Sequence, residues 1–488
     1  MNNIFDKLKA YSDSDYYAFH MPGHKRNLDL MDGTSPYRID ITEIDGFDDL
    51  HHAEGILRDA QERAARVYHA DETHFLVNGS TVGILSAILG TTEKGDSILV
   101  ARNCHKSVYH AIYLNELDPV YLYPKFDTEQ GLSTEIDAAD VQKALEEHPK
   151  IRAVMIVSPT YDGVVSDIEK IAEIVHAKGC PLIVDEAHGA HFGFDPYFPK
   201  SANIYGADLV INSLHKTLPA LTQTALLHVN GDMVKRRKEK QYLDMLQTSS
   251  PSYILMASID ACIGMLEETL ETHSDARSDY KYKNIFSEYA NRIEALRKDL
   301  KRLKYLKIIQ TDNTDRYDRS KFVISVKHAP MSSHELYEIL LHRYHLQMEM
   351  LAGTYVLAMT TVGDTQEGLD RLRDALLEID KEIDTRQGRP AAIETDLPLS
   401  GRQPALEKVW TIAEAVNRRD KIQKRSFEDS IGCISVEYAY LYPPGSPLIV
   451  PGERITKEAV EILHWYQEHD FSIEGLQSED GIEVWIDG

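Results

Sequence analysis

Five side chains with distinct chemistry follow apolar, strand-like runs of this 488-residue chain. Ser80 and Thr81 follow HFLVNG and supply hydroxyls, and His105 follows SILVARNC and supplies an aromatic ring. Asp185 closes LIVD and supplies a carboxylate, while Lys216 follows ADLVINSLH and supplies an amine. Together these groups offer an anion site, a flat face, a partner for a cation and a nucleophile.

The first two of these segments each have a functional and a structural interpretation. After the tight turn at Gly79, Ser80 and Thr81 stand at the start of a predicted helix, where backbone N–H groups and hydroxyls suit a phosphate. The same residues also serve a helix N-terminus without any ligand. His105 presents a ring to a planar ligand, or else it caps a helix or packs in the core.

The other two segments are more informative because they are read together. An acid that closes a buried strand needs a cation, so Asp185 requires a protonated ligand, a salt bridge or an Asx turn. Lys216 follows 31 residues later, and a lysine in a partly apolar pocket becomes a Schiff-base nucleophile, whereas most lysines lie on the surface. A phosphate cup, a stacking ring, a ring-nitrogen partner and a lysine are the parts that hold pyridoxal phosphate.

Two other interpretations of VDEAHGAH are not favoured by the sequence. A DEAH helicase would need a GxxxxGK[ST] loop, and the chain contains no Gly-Lys dipeptide. His188 and His191 stand three residues apart without matching acidic or cysteine ligands, so we expect no metal site.

The sequence predicts alternating strands and helices, and these elements position the side chains named above. Short Val/Ile/Leu runs from HFLVNG (74–79) to ADLVINS (207–213) alternate with helices, which predicts an α/β fold with a mainly parallel sheet covered on both faces. Right-handed crossovers then bring the carboxyl ends of the strands to one edge, where ligands bind in such folds.

The remaining pattern predicts five segments. Residues 1–60 form an N-terminal arm, 61–315 the large cofactor-binding domain and 316–384 a small α+β domain. The Pro- and Gly-rich segment 385–404 is a linker, and residues 405–488 form a C-terminal α+β domain with one long helix near 404–418 and a closing helix.

Composition narrows the class of protein. Fifty-three Lys and Arg against 78 Asp and Glu give a net charge of −25, which argues against a nucleic-acid partner. The four cysteines are far apart and form no CxxC pair, which fits a reducing cytoplasm. We expect no signal peptide and no membrane span, because no apolar run approaches about 20 residues.

Nine motifs in order resemble the Orn/Lys/Arg decarboxylase family of fold-type-I pyridoxal-phosphate enzymes, in the short bacterial form without an N-terminal wing domain. They are HMPGHK (20–25), DDLH (48–51), LVNGSTVG (76–83), ARNCHKSV (101–108), SPTYDG (158–163), VDEAHGAH (184–191), SLHKTLPA (213–220), TSSPSYILMASID (248–260) and YPPGSPLIVPGE (442–453).

The resemblance implies the aspartate aminotransferase fold and a role for each matching residue. Lys216 carries the cofactor, His105 stacks on its ring and takes part in catalysis, and Asp185 pairs with the ring nitrogen. The remaining cofactor-binding residues are Ser80, Thr81, Thr160, Ala187, His188, Ser213 and His215. The resemblance also implies a homodimer with active sites at the interface, to which HMPGHK and TSSPSY contribute.

The implied reaction is decarboxylation of lysine, arginine or ornithine to cadaverine, agmatine or putrescine. Spacing does not separate the three substrates, and overall similarity favours lysine slightly. The distal cation of the substrate requires an acid. The candidates are Asp40, Glu43, Asp45, Asp48 and Asp49 in the acidic arm, and Glu437 near the C-terminus.

Two alternatives remain open at this stage. An aminotransferase or aldolase uses the same scaffold, and an aminotransferase grips the retained carboxylate with an arginine. A catalytically silent regulatory homologue would have lost the lysine or the ring aspartate, and this chain retains both Lys216 and Asp185.

Overall fold

The structure is a computed structural model that describes most of the chain. The described residues are 13–25, 27, 29, 36–271, 281–309, 316–385, 403–418, 420–442 and 445–486. Of the predicted linker, residues 386–402 lie outside the described part of the chain. No helix in the described ranges is both long and apolar enough to cross a membrane.

A seven-stranded sheet forms the centre of the large domain, and its strands are buried on both faces. From edge to edge the strands are Glu72–Leu76, Ala225–Val229, Leu209–Asn212, Leu182–Asp185, Ile151–Val157, Ser97–Ala101 and Asp118–Leu122. Only Ala225–Val229 runs antiparallel to its neighbours. Near-continuous apolar runs suit strands that helices cover on both sides, and the parallel strands end at one edge.

Amphipathic helices cover this sheet, and Ile168–Ala177 shows why the sequence forms them. Asp167 accepts a hydrogen bond from the N–H of Lys170 and so caps the helix, while a stripe with helical spacing is buried against the sheet. The helices of the large domain are Ile56–Tyr68, Gly79–Thr91, Lys106–Leu114, Ala138–Glu147, Ile168–Ala177, Leu214–Thr217, Arg236–Leu246 and Tyr253–Glu271.

A smaller antiparallel sheet follows in the chain. Its strands lie in the order Lys307–Ile308, Lys321–Ser325, Tyr355–Met359 and Met350–Ala352. The helices Ile285–Leu300, Ser333–His342 and Gln366–Thr385 accompany it. The N-terminal arm joins this region, since Tyr17–Phe19 pairs in parallel with Leu346–Met348.

The arm also contacts the loop that carries Lys216. The N–H of Gly23 donates to the carbonyl of His215 at 2.6 Å, and a Cβ on Gly23 would lie 2.7 Å from backbone atoms of Leu218. Glycine at this position therefore lets the arm pack directly against the lysine loop of its own chain.

The C-terminal segment contains two three-stranded sheets around the helix Lys457–Glu468. One sheet has the order Ile422–Arg425, Ile482–Trp485 and Ile434–Ser435, and the other has the order Ser446–Ile449, Ala439–Tyr442 and Ser472–Glu474. The helix that we expected to close the chain is thus followed by two further strands.

The long helix predicted near 404–418 is wrong. Only Ile412–Val416 is helical, with a capping box between Thr411 and Glu414. The N–H groups of Val409 and Trp410 both donate to the carbonyl of Gly452, at 2.9 and 3.1 Å. Because these donors pair with a distant loop, the residues before Thr411 do not form helical hydrogen bonds.

Candidate active site

A cavity of about 480 Å³ opens where the parallel strands end. All ten residues predicted to bind the cofactor line it. They are Ser80, Thr81, His105, Thr160, Asp185, Ala187, His188, Ser213, His215 and Lys216. They come together because four strand ends meet at one edge of the sheet, as ligand sites in α/β folds do.

One end of the cavity is built for an anion. Gly79 has a φ of +73° and starts the 13-residue helix Gly79–Thr91, whose N-terminus has no side-chain cap from Asn78. The hydroxyls of Ser80 and Ser213 lie 2.5 Å apart there. Uncapped N–H groups and two hydroxyls favour the phosphate interpretation of this turn.

His105 combines both roles that the sequence left open. Its Nδ1 lies 2.8 Å from the Ser107 hydroxyl and accepts the Ser107 N–H at 3.3 Å, so the side chain caps the helix Lys106–Leu114. The ring also lines the cavity. The surrounding walls, and then the charge of Lys216, lower the pKa of His105, which favours a neutral ring at pH 7.

Asp185 is a buried acid in need of a cation. Its carboxylate accepts the N–H of Ala187 at 3.1 Å and makes no ion pair within 4.0 Å with any described lysine, arginine or histidine. Burial raises the pKa of Asp185, and the nearby Lys216 opposes this shift. A protonated ring nitrogen in the cavity would stabilise the charged form.

Lys216 and His188 are in direct contact, with Nζ and Nε2 3.1 Å apart. Burial lowers the pKa of Lys216, which favours the neutral, nucleophilic amine, while Asp185 and Glu349 oppose the shift. Burial also lowers the pKa of His188, and its Nδ1 has no hydrogen-bond partner among the described residues. The Tyr161 ring lies 4.4 Å away from that of His188.

The cavity fits pyridoxal phosphate on these observations. It offers an open helix N-terminus with hydroxyls, a buried acid without a cationic partner and a desolvated amine. His215 directs Nδ1 to the carbonyl of Thr224 at 3.0 Å, and Thr160 Oγ1 accepts the N–H of Val164 at 3.0 Å. These bonds orient both side chains in the wall of the cavity.

Several residues of the cavity wall were not found from the sequence. Tyr355 enters from the small sheet, and Leu441, Ile462 and Tyr466 enter from the C-terminal segment. Asp162 stands within the motif SPTYDG, which was the only available signal for it.

The acids predicted to receive the substrate's cation do not line this cavity. Asp40 and Asp45 are exposed and Glu43 is half-buried in the arm. Glu437 accepts the N–H groups of Gln477 and Glu483, at 2.9 and 2.7 Å, and so organises the C-terminal sheets.

The other two arm acids have local structural roles. Asp48 accepts four backbone N–H groups, those of Asp49, Glu54, Gly55 and Leu57, and Asp49 caps a short helical turn. The sequence pattern could not separate such capping acids from a substrate contact.

Comparison with known proteins assigns the family. The major-domain profile of the Orn/Lys/Arg decarboxylases matches residues 2–339, and the profile of their C-terminal domain matches residues 402–484. The chain belongs to the Orn/Lys/Arg decarboxylase family. It is a pyridoxal-phosphate-dependent amino-acid decarboxylase, which confirms the family and the cofactor inferred from the nine motifs.

Related sequences agree with this assignment. The chain is 36% identical over 468 residues to the uncharacterized protein YaaO of Bacillus subtilis, covering 94% of this chain and 93% of that protein. It is 30% identical over 469 residues to an arginine decarboxylase of the same organism, covering 94% and 92%.

The fold prediction is confirmed as well. The lysine decarboxylase LdcF of Francisella novicida superposes with a TM-score of 0.78 at 18% identity, over 98% of this chain and 80% of that one. At that identity the likeness concerns the fold alone, which is the aspartate aminotransferase fold.

Proposed function

We propose that the chain converts arginine to agmatine and CO₂, with lysine and ornithine as the alternative basic substrates. The observation that carries the proposal is the convergence of Lys216, Asp185, His105 and Ser80 on one cavity. The slight preference for lysine is replaced by arginine, because the relative named arginine decarboxylase matches over 94% of the chain.

Each residue has a definite task in this reaction. Ser80, Ser213 and His215 would hold the phosphate, and Asp185 would pair with the ring nitrogen. His105 would hold the ring, and the amine of Lys216 would hold the cofactor at its aldehyde. When bound, pyridoxal phosphate supplies the electron sink that accepts the electron pair left behind as the carboxylate departs as CO₂.

A proton must then replace the carboxylate at the α-carbon of the product. Lys216 and His105 both line the cavity, and both can hold a proton at nitrogen. Burial lowers the pKa of Lys216 toward neutral pH, which favours proton exchange at its amine, whereas the lowered pKa of His105 favours a neutral ring there.

The composition of the cavity favours decarboxylation over transamination. An aminotransferase retains the substrate carboxylate and grips it with an arginine, as noted above. None of the described residues that line this cavity is an arginine. A carboxylate that leaves as CO₂ needs no such partner.

We also propose that the chain acts as a cytoplasmic homodimer. Ile39, Ile44, Phe47 and Ile56 are large apolar side chains that are 41–58% exposed within one segment of the arm. Large apolar side chains exposed in one segment of the chain favour a surface that another chain covers. The free thiols of Cys104, Cys180, Cys262 and Cys433 suit a reducing compartment.

One assay tests the proposed reaction. The purified holoenzyme is offered arginine, lysine and ornithine separately, while CO₂ and the amine product are followed. We expect CO₂ and agmatine from arginine at the highest kcat/KM. Release of CO₂ from none of the three would refute the proposal, even if the protein retains its cofactor.

A further inference from the structure

A basic substrate needs a carboxylate in this cavity to receive its distal cation. This inference rests on the proposed function. The distal ammonium or guanidinium of the substrate loses water when it enters a buried site. A desolvated cation is costly unless a carboxylate receives it. None of the six acids first predicted for this task lines the cavity.

Two carboxylates occur among the described residues of the cavity wall, Asp185 and Asp162. Lys216 acts electrostatically on Asp185, and the task proposed for Asp185 is to pair with the ring nitrogen. None of the tasks proposed above for the cofactor is assigned to Asp162. Among the described residues of the wall, it is therefore the carboxylate that can meet the substrate.

The surroundings of Asp162 fit this task. The residue is 6% exposed, and the Tyr355 hydroxyl donates to its Oδ1 at 2.6 Å. It makes no ion pair within 4.0 Å with a lysine, arginine or histidine in the described part of the chain. Lys321 acts on it only at longer range, and burial raises the pKa of Asp162 to about 6.

Two rigid elements hold the carboxylate in place. Asp162 lies in a turn closed by the hydrogen bond from Gly163 N–H to the Thr160 carbonyl at 3.0 Å. Gly163 has a φ of +102°, and a Cβ there would lie 2.9 Å from Lys321 Cγ. Tyr355 begins the strand Tyr355–Met359. A site on such elements holds its geometry before the ligand arrives.

We propose that Asp162, oriented by the Tyr355 hydroxyl, receives the distal cation of the substrate and determines specificity for basic amino acids. Oδ1 accepts the hydrogen bond of the Tyr355 hydroxyl, and Oδ2 would accept from the substrate's cation. Phe126 and Val157 also line the cavity and offer apolar surface to the methylene chain.

The test compares arginine with citrulline, in which an uncharged urea group replaces the guanidinium. The wild-type holoenzyme should prefer arginine in kcat/KM by about 100-fold or more. Asp162→Asn keeps the shape of the side chain and removes its charge. We expect the preference to shrink to within about fivefold, almost entirely through loss on arginine, with the visible cofactor band unchanged.

A matched control separates recognition from folding. Glu239→Gln neutralises another buried carboxylate, which faces His74 at 3.6 Å and does not line the cavity. This variant should keep the wild-type preference for arginine over citrulline.

Tyr355→Phe retains the charge of Asp162 but removes its hydroxyl partner, and it should lower the preference for arginine about tenfold. It also provides a second test if Asp162→Asn does not fold.

The outcomes are distinguishable. Equal losses on arginine and citrulline in Asp162→Asn, or an unchanged preference, would refute the role of Asp162 while leaving decarboxylation intact. If lysine is the better substrate, norleucine replaces citrulline as the uncharged analogue. A wild-type holoenzyme that releases CO₂ from no basic amino acid would refute both proposals.

Discussion

Arg102 and Glu453 form a fully buried, two-pronged ion pair between the large domain and the C-terminal segment. Arg102 Nη1 and Nη2 lie 2.9 and 2.8 Å from the two carboxylate oxygens. Arg102 directly follows the strand Ser97–Ala101 and stands three residues before His105. The pair therefore joins the strand end that carries His105 to the segment that supplies Tyr466 to the cavity.

We predict that Glu453→Gln lowers the free energy of unfolding by about 3–5 kcal/mol, because it leaves the Arg102 charge buried and unpaired. Urea unfolding of the variant and the wild type measures the difference. Glu461→Gln is the matched control, since it removes the exposed partner of Lys457 at 3.1 Å. Equal stability of the two variants would contradict a structural role for the buried pair.

Ser80→Ala should weaken cofactor binding without changing the fold. It removes one of two hydroxyls that lie 2.5 Å apart at an open helix N-terminus. A hydrogen bond to a charged group contributes about 1.5–3 kcal/mol, so the cofactor Kd should rise roughly 10- to 100-fold. Titration of the apoenzyme with pyridoxal phosphate gives this Kd. An unchanged value would place the phosphate elsewhere.

Lowering the pH should weaken recognition of the basic substrate, because Asp162 becomes protonated. Its pKa is raised from 3.8 to about 6 by burial, so the carboxylate is charged above pH 6 and becomes protonated as the pH falls through that value. The Tyr355 hydroxyl and Lys321 are the groups that act on it. We expect kcat/KM for arginine to fall about tenfold per pH unit below 6, relative to citrulline. In Asp162→Asn, the ratio of kcat/KM for arginine to kcat/KM for citrulline should not vary with pH.

The exposed apolar side chains of the arm, Ile39, Ile44, Phe47 and Ile56, should lie in a dimer interface. We predict that wild-type protein has twice the 55.4 kDa chain mass in solution, and that Ile44→Ser with Phe47→Ser shifts it toward the monomer. Light scattering coupled to size exclusion measures this. Ile431→Ser, at a similarly exposed site in the C-terminal segment, should remain dimeric. A monomeric wild type would rule out the proposed assembly.

The residues proposed to bind the cofactor could be grouped from the sequence because each one follows a strand-like run, and parallel strands end at the same edge. Ser80, His105, Asp185 and Lys216 could therefore be placed together without a structure. The residues of the opposite wall give no such signal. Tyr355 reaches Asp162 across 193 positions of the chain.

Tertiary contacts explain why two sequence-based expectations, the long helix near 404–418 and Asp48 as a substrate contact, do not match the structure. The residues before Thr411 have a helical pattern, but the N–H groups of Val409 and Trp410 bond to Gly452, more than 40 positions away. Asp48 looked like a substrate contact, yet its carboxylate is occupied by four backbone N–H groups. Hydrogen bonds formed in the folded chain determine both outcomes, and a local sequence pattern does not predict such bonds.

The most direct test of the central claim is release of labelled CO₂ from carboxyl-labelled arginine by the wild-type holoenzyme and by Lys216→Ala. We predict labelled CO₂ with an equal amount of agmatine from the wild type. From Lys216→Ala we expect neither product, together with loss of the visible cofactor band. Equal CO₂ release from both proteins, or none from the wild type with arginine, lysine or ornithine, would contradict the account.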